Sequence, residues 1–191
     1  MIDHLLRWDE KTSAEFRKKA GTTPACFRIN AFLAHSGDSW FWCIALFIFW
    51  LFAGGDTQRT LAFWGLSIAG TAVLIFFLKR KIQRKRPEGE WGELYRRTDP
   101  HSFPSGHAVR AGLIVMLALD TFQPQFALVF IVWALLMIHA RVATGVHYLL
   151  DIYFGLIFGL LIGTALILLK PAIYANLPIL FDRSLWWALL K

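Results

Sequence analysis

The feature that most constrains this chain is a set of five apolar blocks, most of them bounded by charge. A membrane-crossing helix needs about 20 mostly apolar residues. The blocks run from about Trp40 to Gly54, Leu61 to Leu78, Ser105 to Phe122, Gln125 to Ala140 and His147 to Leu169. Of 191 residues, 57% are hydrophobic and 16% aromatic, whereas a soluble domain is about 45–50% apolar. Mean hydropathy is +0.49. The expected fold is all-α: a polytopic transmembrane bundle of about five spans, forming a single domain over residues 1–191. Tight turns are expected at Gly55–Thr60 and near Pro124. The polar stretch Lys81–Phe103, punctuated by Gly and Pro, reads as a loop with room for a short surface helix.

Both ends of the chain look interfacial. In residues 1–38, Ile2, Leu5, Leu6 and Trp8 alternate with Asp3, Arg7, Asp9 and Glu10, which suits an amphipathic helix lying on a membrane. Ala31–His35 is too short to span. Residues 171–191 carry Trp186, Trp187 and Lys191, and Trp favours the interfacial level. Met1–Lys19 has no apolar core, so no cleavable signal peptide is expected. Cys26 and Cys43 are the only cysteines; with Cys43 inside an apolar block, a disulfide framework is not expected.

Three short stretches at the block ends read as one site. They are Lys79 with Arg86-Pro87, Pro104-Ser105-Gly106-His107, and Arg141 with His147 and Asp151. Five spans would bring all three to the same face, with the N-terminus. Charge beside a bilayer is unfavourable and usually functional. His147 and Asp151 share a helix face, so the carboxylate can fix one ring nitrogen and leave the other to attack. Ser105-Gly106 stands where a loop enters a helix, and helix starts favour anions. Lys79, Arg86 and Arg141 can surround phosphoryl oxygens, the arginines as forks. His107 is then the general acid for the leaving oxygen. Three cations can do the work of charge stabilisation, so no metal and no cofactor is expected.

These stretches resemble the signature of the type 2 phosphatidic acid phosphatase (PAP2) family. This is the membrane lipid phosphatase branch of the superfamily that also holds the vanadium haloperoxidases. Lys79 stands six residues before Arg86-Pro87, Pro-Ser-Gly-His occupies 104–107, and Arg141, His147 and Asp151 stand at the family's spacing. The one departure is Ala140, where the family pattern has Ser, which removes a phosphate hydrogen bond. The resemblance covers roughly Lys79 to Asp151. It implies that His147 is the nucleophile of a phosphohistidine intermediate, Asp151 its orienting partner and His107 the acid. Lys79, Arg86, Ser105, Gly106 and Arg141 are then phosphate binders.

The expected function is hydrolysis of a lipid phosphate monoester or diphosphate. Phosphatidylglycerol phosphate, phosphatidic acid and polyprenyl phosphates or diphosphates are the candidates. A phosphotransferase on a lipid phosphate and a non-catalytic lipid-phosphate-binding protein are the alternatives; a transporter would need more polar span interiors. Net charge +7 fits an anionic substrate and membrane lipids as partners, with no nucleic acid. Cations from Arg7 to Arg97 crowd the motif face, while Arg59, Lys170, Arg183 and Lys191 stand on the other. The positive-inside rule then places a multi-pass protein in the plasma (inner) membrane with its site facing the cytoplasm.

Other residues read as ordinary. Arg80, Lys81, Arg84 and Lys85 suit anionic-lipid contact. Glu88, Glu90, Glu93 and Asp99 suit a solvated loop. His139 reads as a packed residue, and His4, His35 and His101 as solvated. Gly155, Gly159 and Gly163 recur every four residues and suit close helix packing, either within the chain or in a homodimer.

Overall fold

The structure, a computed structural model, describes residues 2–20, 23–88 and 99–181. Within them seven helices carry the chain: α1 (Ile2–Ala20), α2 (Pro24–His35), α3 (Ser39–Phe52), α4 (Gly55–Ile82), α5 (Gly106–Thr121), α6 (Pro124–Ala143) and α7 (Leu149–Asn176). A 3₁₀ turn follows at Pro178–Leu180. Pro24 and Pro124 open their helices at the first turn, where a missing N–H is harmless. Arg96, Arg97, Glu90, Glu93, Arg183, Trp186, Trp187 and Lys191 lie outside the described residues.

The spans differ from expectation in two ways. Helices α4, α6 and α7 are each long and apolar enough to cross a membrane. The first expected span, Trp40–Gly54, is only the second half of a pass. The 14-residue α3 follows α2 across a 56° bend, and only the two together are long and apolar enough for one span. Ala31–His35 thus belongs to this pass. The bend has its own ties: Trp42 Nε1 donates to the Ser36 carbonyl at 3.0 Å, and Trp133 Nε1 donates to Ser36 Oγ at 2.9 Å. The other difference is α5, with 16 residues, about 24 Å at 1.5 Å per residue. That is short of a hydrocarbon core of about 30 Å. It is the central helix, with every residue from Ala108 to Val115 buried, so it faces protein rather than lipid.

Helix α7 also runs further than the sequence suggests. It continues through Pro171 to Asn176 instead of stopping near Leu169. Lys170 pairs with Asp120 at 2.7 Å and so ties α7 to the far end of α5. There Phe181 is buried against Phe63 and Tyr174, beneath a core of Trp64, Ile68, Leu113 and Leu117.

Helix α1 is the amphipathic helix expected at the N-terminus, and it docks on the bundle through a polar stripe. Asp9 and Ser13 are buried, while Leu5 and Trp8 are about half exposed. Their partners are in the loop after α4 and at the start of α7, described below.

The glycine stripe packs within the chain. A methyl group at Gly159 would stand 2.0 Å from the Val109 carbonyl oxygen, and one at Gly112 would stand 2.7 Å from the Leu156 carbonyl oxygen. Helices α5 and α7 therefore meet backbone to backbone, and the stripe has no face left for a second copy. Gly159→Ala must separate them, and overpacking of this kind destabilises by about 1–3 kcal/mol. Thermal unfolding in detergent should fall by roughly 5 °C, whereas Gly70→Ala, with nothing within 4 Å, should leave it unchanged.

Candidate active site

Four segments meet at one end of the bundle. The last turns of α4 deliver Lys79, and the chain then leaves the helix through Gln83, a left-handed residue at φ 55°. The next stretch runs beside the approach to α5: Ser102 N–H donates to the Arg84 carbonyl at 2.8 Å. This places Arg86 next to the Pro104–His107 motif. Ser105 caps α5, its Oγ accepting from Ala108 N–H. Its own N–H donates to the Asp151 carbonyl at 3.1 Å, which fixes the start of α5 against the first turn of α7. Arg141 comes from the last turn of α6, and His147 from the short loop to α7.

His147 is buried, and its two nitrogens have different partners. Nε2 lies 3.1 Å from an Arg86 guanidinium nitrogen. Arginine only donates, so Nε2 is the acceptor and Nδ1 carries the ring hydrogen. Nδ1 stands 3.4 Å from Asp151 Oδ2, an ion-pair distance that falls short of a well-aligned hydrogen bond. Contacts of this type commonly tighten when substrate binds. Burial, then the cations Arg86, Arg141 and Lys79, hold the His147 pKa well below the usual histidine range. The imidazole is neutral at pH 7, with a lone pair on Nε2.

The expected cations converge around it. Lys79 donates to Asp99 Oδ2 and to the His101 carbonyl. Arg86 donates to Asp99 Oδ2 at 2.7 Å and to the Val146 carbonyl at 2.9 Å. Arg141 is completely buried. Lys79, Arg86, Gly106, His107, Arg141 and His147 line one cavity of about 240 Å³. Ser105 and Asp151 stand behind that wall: Ser105 as a helix cap, Asp151 behind His147. Ala140 is buried and also outside the wall. The opposite wall is apolar, built from α4 residues including Ile68, Ala72, Ile75 and Phe76. Among the described residues no group of three or more His, Cys, Asp and Glu is placed to hold a metal ion.

Five residues of this region were not anticipated. Asp99, partly exposed on its loop, bonds both Lys79 and Arg86. Asp38, in the bend between α2 and α3, accepts from His107 Nε2 at 2.7 Å and from His35 at 3.1 Å, so His35 is not merely solvated. Arg110 lines the cavity and holds the bend through the Gly37 carbonyl and Ser39 Oγ. It alone carried a readable signal, as a charge inside an apolar block. Arg84 is not a lipid contact. It bonds Asp151 Oδ1 and Asp9 Oδ2, both at 2.7 Å. Nothing local in the sequence marks it or Asp9. His139 is exposed, its ring edge-on to Phe16 at 5.1 Å.

Comparison with known proteins gives the family and the fold. The PAP2 superfamily profile matches residues 60–174. A lipid A 1-phosphatase of Rhizobium etli is 29% identical over 188 residues, covering 86% of this chain and 79% of that protein. Two solved structures share the fold. The first transmembrane PAP2 type phosphatidylglycerolphosphate phosphatase from Bacillus subtilis has a TM-score of 0.69 at 23% identity, covering 89% of this chain and 88% of its own. LpxE of Aquifex aeolicus has a TM-score of 0.62 at 18% identity, covering 80% and 92%. With a family profile spanning more than half its length and apolar helices long enough to cross a bilayer, the chain is an integral membrane protein of the PAP2 superfamily.

Proposed function

We infer that this protein is a lipid phosphatase that hydrolyses a phosphate monoester or diphosphate on a membrane-anchored lipid. The observation that carries this reading is the neutral His147, its Nε2 directed at Arg86 on a cavity walled by cations on one side and apolar α4 on the other. The phosphate meets Lys79, Arg86, Arg110 and Arg141, and the lipid chain lies along Ile75 and Phe76. Nε2 attacks phosphorus as the bond to the leaving oxygen breaks, and His107 gives that oxygen a proton. Burial and Arg141 lower the His107 pKa against the pull of Asp38; a phosphate anion beside the ring favours the imidazolium, whose second N–H donates while Nε2 keeps its bond to Asp38. Water then attacks the phosphohistidine, passes a proton back to His107, and releases phosphate and His147. Charge on the phosphoryl oxygens is met by the cations throughout, with no cofactor.

The relatives are named for lipid A 1-phosphate and phosphatidylglycerolphosphate. Both join phosphatidic acid and polyprenyl phosphates or diphosphates as substrates of the required chemistry. A single domain over the chain is supported by α1, whose Asp9 reaches Arg84 beside the site.

Three outcomes are expected. Purified protein in detergent with EDTA should release phosphate from at least one lipid in that panel, and His147→Ala should lower the rate about 10³-fold or more. Activity lost to EDTA and restored by a divalent metal would overturn the mechanism. The pH profile follows from the His147 shift. A depressed pKa keeps the neutral nucleophile present as pH falls through 6.5. Once corrected for the substrate's own phosphate titration, the acidic limb of kcat/KM should therefore lie below the usual histidine range; a limb at or above pH 6.5 would contradict it. We also assign the site end to the cytoplasm. The docking of α1 keeps Arg7, Lys11, Lys18 and Lys19 on that end, and the positive-inside rule counts such residues. An N-terminal fluorescent-protein fusion should then fluoresce, while an N-terminal alkaline phosphatase fusion that is active outside would reverse the assignment.

A further inference from the structure

Asp151 has two oxygens with different work to do. Oδ2 accepts from Tyr148 N–H at 3.0 Å and faces His147 Nδ1. Oδ1 is taken by Arg84 at 2.7 Å. A buried carboxylate needs such partners, but a single cation would also neutralise it. An Arg84–Asp151 pair alone carries no net charge to offer His147 as a bond forms at Nε2 and the ring becomes positive. Helix α1 supplies what is missing. Asp9, fully buried, binds the other arm of Arg84 at 2.7 Å. Two carboxylates on one guanidinium leave one net negative charge behind the imidazole.

The rest of the contact is built for this arrangement. Asp9 Oδ1 accepts from Leu150 N–H at 3.1 Å and from Ser13 Oγ at 3.2 Å. Ser13 Oγ accepts from Leu149 N–H at 2.9 Å. These are first-turn N–H groups of α7, which a helix leaves unpaired, so α1 caps from outside the helix that carries Asp151. Arg84 is fixed as well. Its guanidinium stacks 4.2 Å over the Tyr148 ring, and its side chain is only 13% exposed, with both arms committed to carboxylates. A fork can hold two carboxylates where an ammonium cannot.

We propose that Asp9 and Arg84 are positioning residues for the reaction: the N-terminal helix, through an Asp9–Arg84–Asp151 relay, sets the place and charge of the carboxylate behind His147. This rests on the phosphohistidine reading above, and the test separates the two. The full-length protein in detergent is assayed for phosphate release from dioctanoyl phosphatidic acid and from lipid A 1-phosphate. Asp9→Asn, Arg84→Gln and Arg84→Lys are compared, each alone and with Asp151→Asn. The relay predicts that each single variant lowers kcat about 10–100-fold, as loss of an outer partner of a reacting imidazole does, with KM within about twofold. Asp9→Glu should recover part of the loss. In the Asp151→Asn background the further loss should shrink to about twofold or less, because residues that act through one another are not additive. If Asp9→Asn and Arg84→Lys unfold at the wild-type temperature and keep wild-type kcat, the relay is overturned. It is also overturned if their losses stay undiminished beside Asp151→Asn, or vanish once rates are scaled to folded protein. Failure of the underlying reading looks different: no phosphate release from either lipid, or full activity in Asp151→Asn.

Discussion

The contact between α5 and α7 is the constraint on which the site depends. Carbon atoms at Gly112 and Gly159 come within van der Waals range of the opposing backbone, and no side chain fits between. Apolar burial contributes little to holding helices together in lipid, so close backbone approach by small residues takes its place. Toward the site, the same seam continues through Gly155, where an added methyl would stand 2.9 Å from the Ser105 carbonyl oxygen. It ends in the bond from Ser105 N–H to the Asp151 carbonyl. One seam thus fixes both motif helices. The separation of His107 from the His147–Asp151 pair is a property of rigid helix packing rather than of loops.

Around that frame the charges are arranged in two shells of opposite sign. Inside, Lys79, Arg86, Arg110 and Arg141 face the cavity, with Asp99 across two of them. Outside, Asp38 stands behind His107, and Asp9 and Asp151 stand near His147. The inner shell suits an anion. Clustered cations, together with burial, also hold His147 neutral, which a nucleophile requires. The outer carboxylates face the imidazoles from the side away from the cavity wall, where positive charge can be met without crowding the phosphate. Burying these ions is tolerable because Lys79, Arg84, Arg86 and Arg110 each bond carboxylate, carbonyl or hydroxyl oxygens.

Sequence legibility follows the range of the interactions. Short-range features were readable: Ser105 as the cap before His107 and apolar blocks as helices; His147 and Asp151 are close as expected, at 3.4 Å, but His147 lies in the loop before α7 and does not share its helix. The convergence of Lys79, Arg86, Gly106, His107, Arg141 and His147 on one cavity followed from counting passes between them. What escaped was pairing across distance. Arg84 meets Asp9 over 75 positions and Asp151 over 67, and in the sequence it is one more cation in a basic run. Asp38 looks like an ordinary helix cap, because the bend that turns it toward His107 breaks an apolar pass in the middle. Helix α1 was legible as an amphipathic helix and no further. Its alternation of apolar and charged residues signals amphipathicity but not which face is buried, and here the buried stripe is the polar one.

The two imidazole–carboxylate pairs also show why the same residue types can serve opposite ends of a reaction. His147 meets Arg86 at the nitrogen that would attack, so a proton there is repelled and the lone pair is kept. His107 meets Asp38 at Nε2, which fixes that N–H and leaves Nδ1 as the nitrogen that can serve the leaving oxygen. A Cβ at Gly37 would stand 3.0 Å from the His107 ring, so the bend that carries Asp38 passes close beside the imidazole. Helix α2–α3 thus stands to His107 as α1 stands to His147. Each histidine sits at the start of a helix in the α5–α7 frame, and each has a carboxylate in contact or close by that is delivered or supported by the N-terminal part of the chain. The N-terminal third, which carries none of the three motifs, thus reaches the surroundings of both histidines.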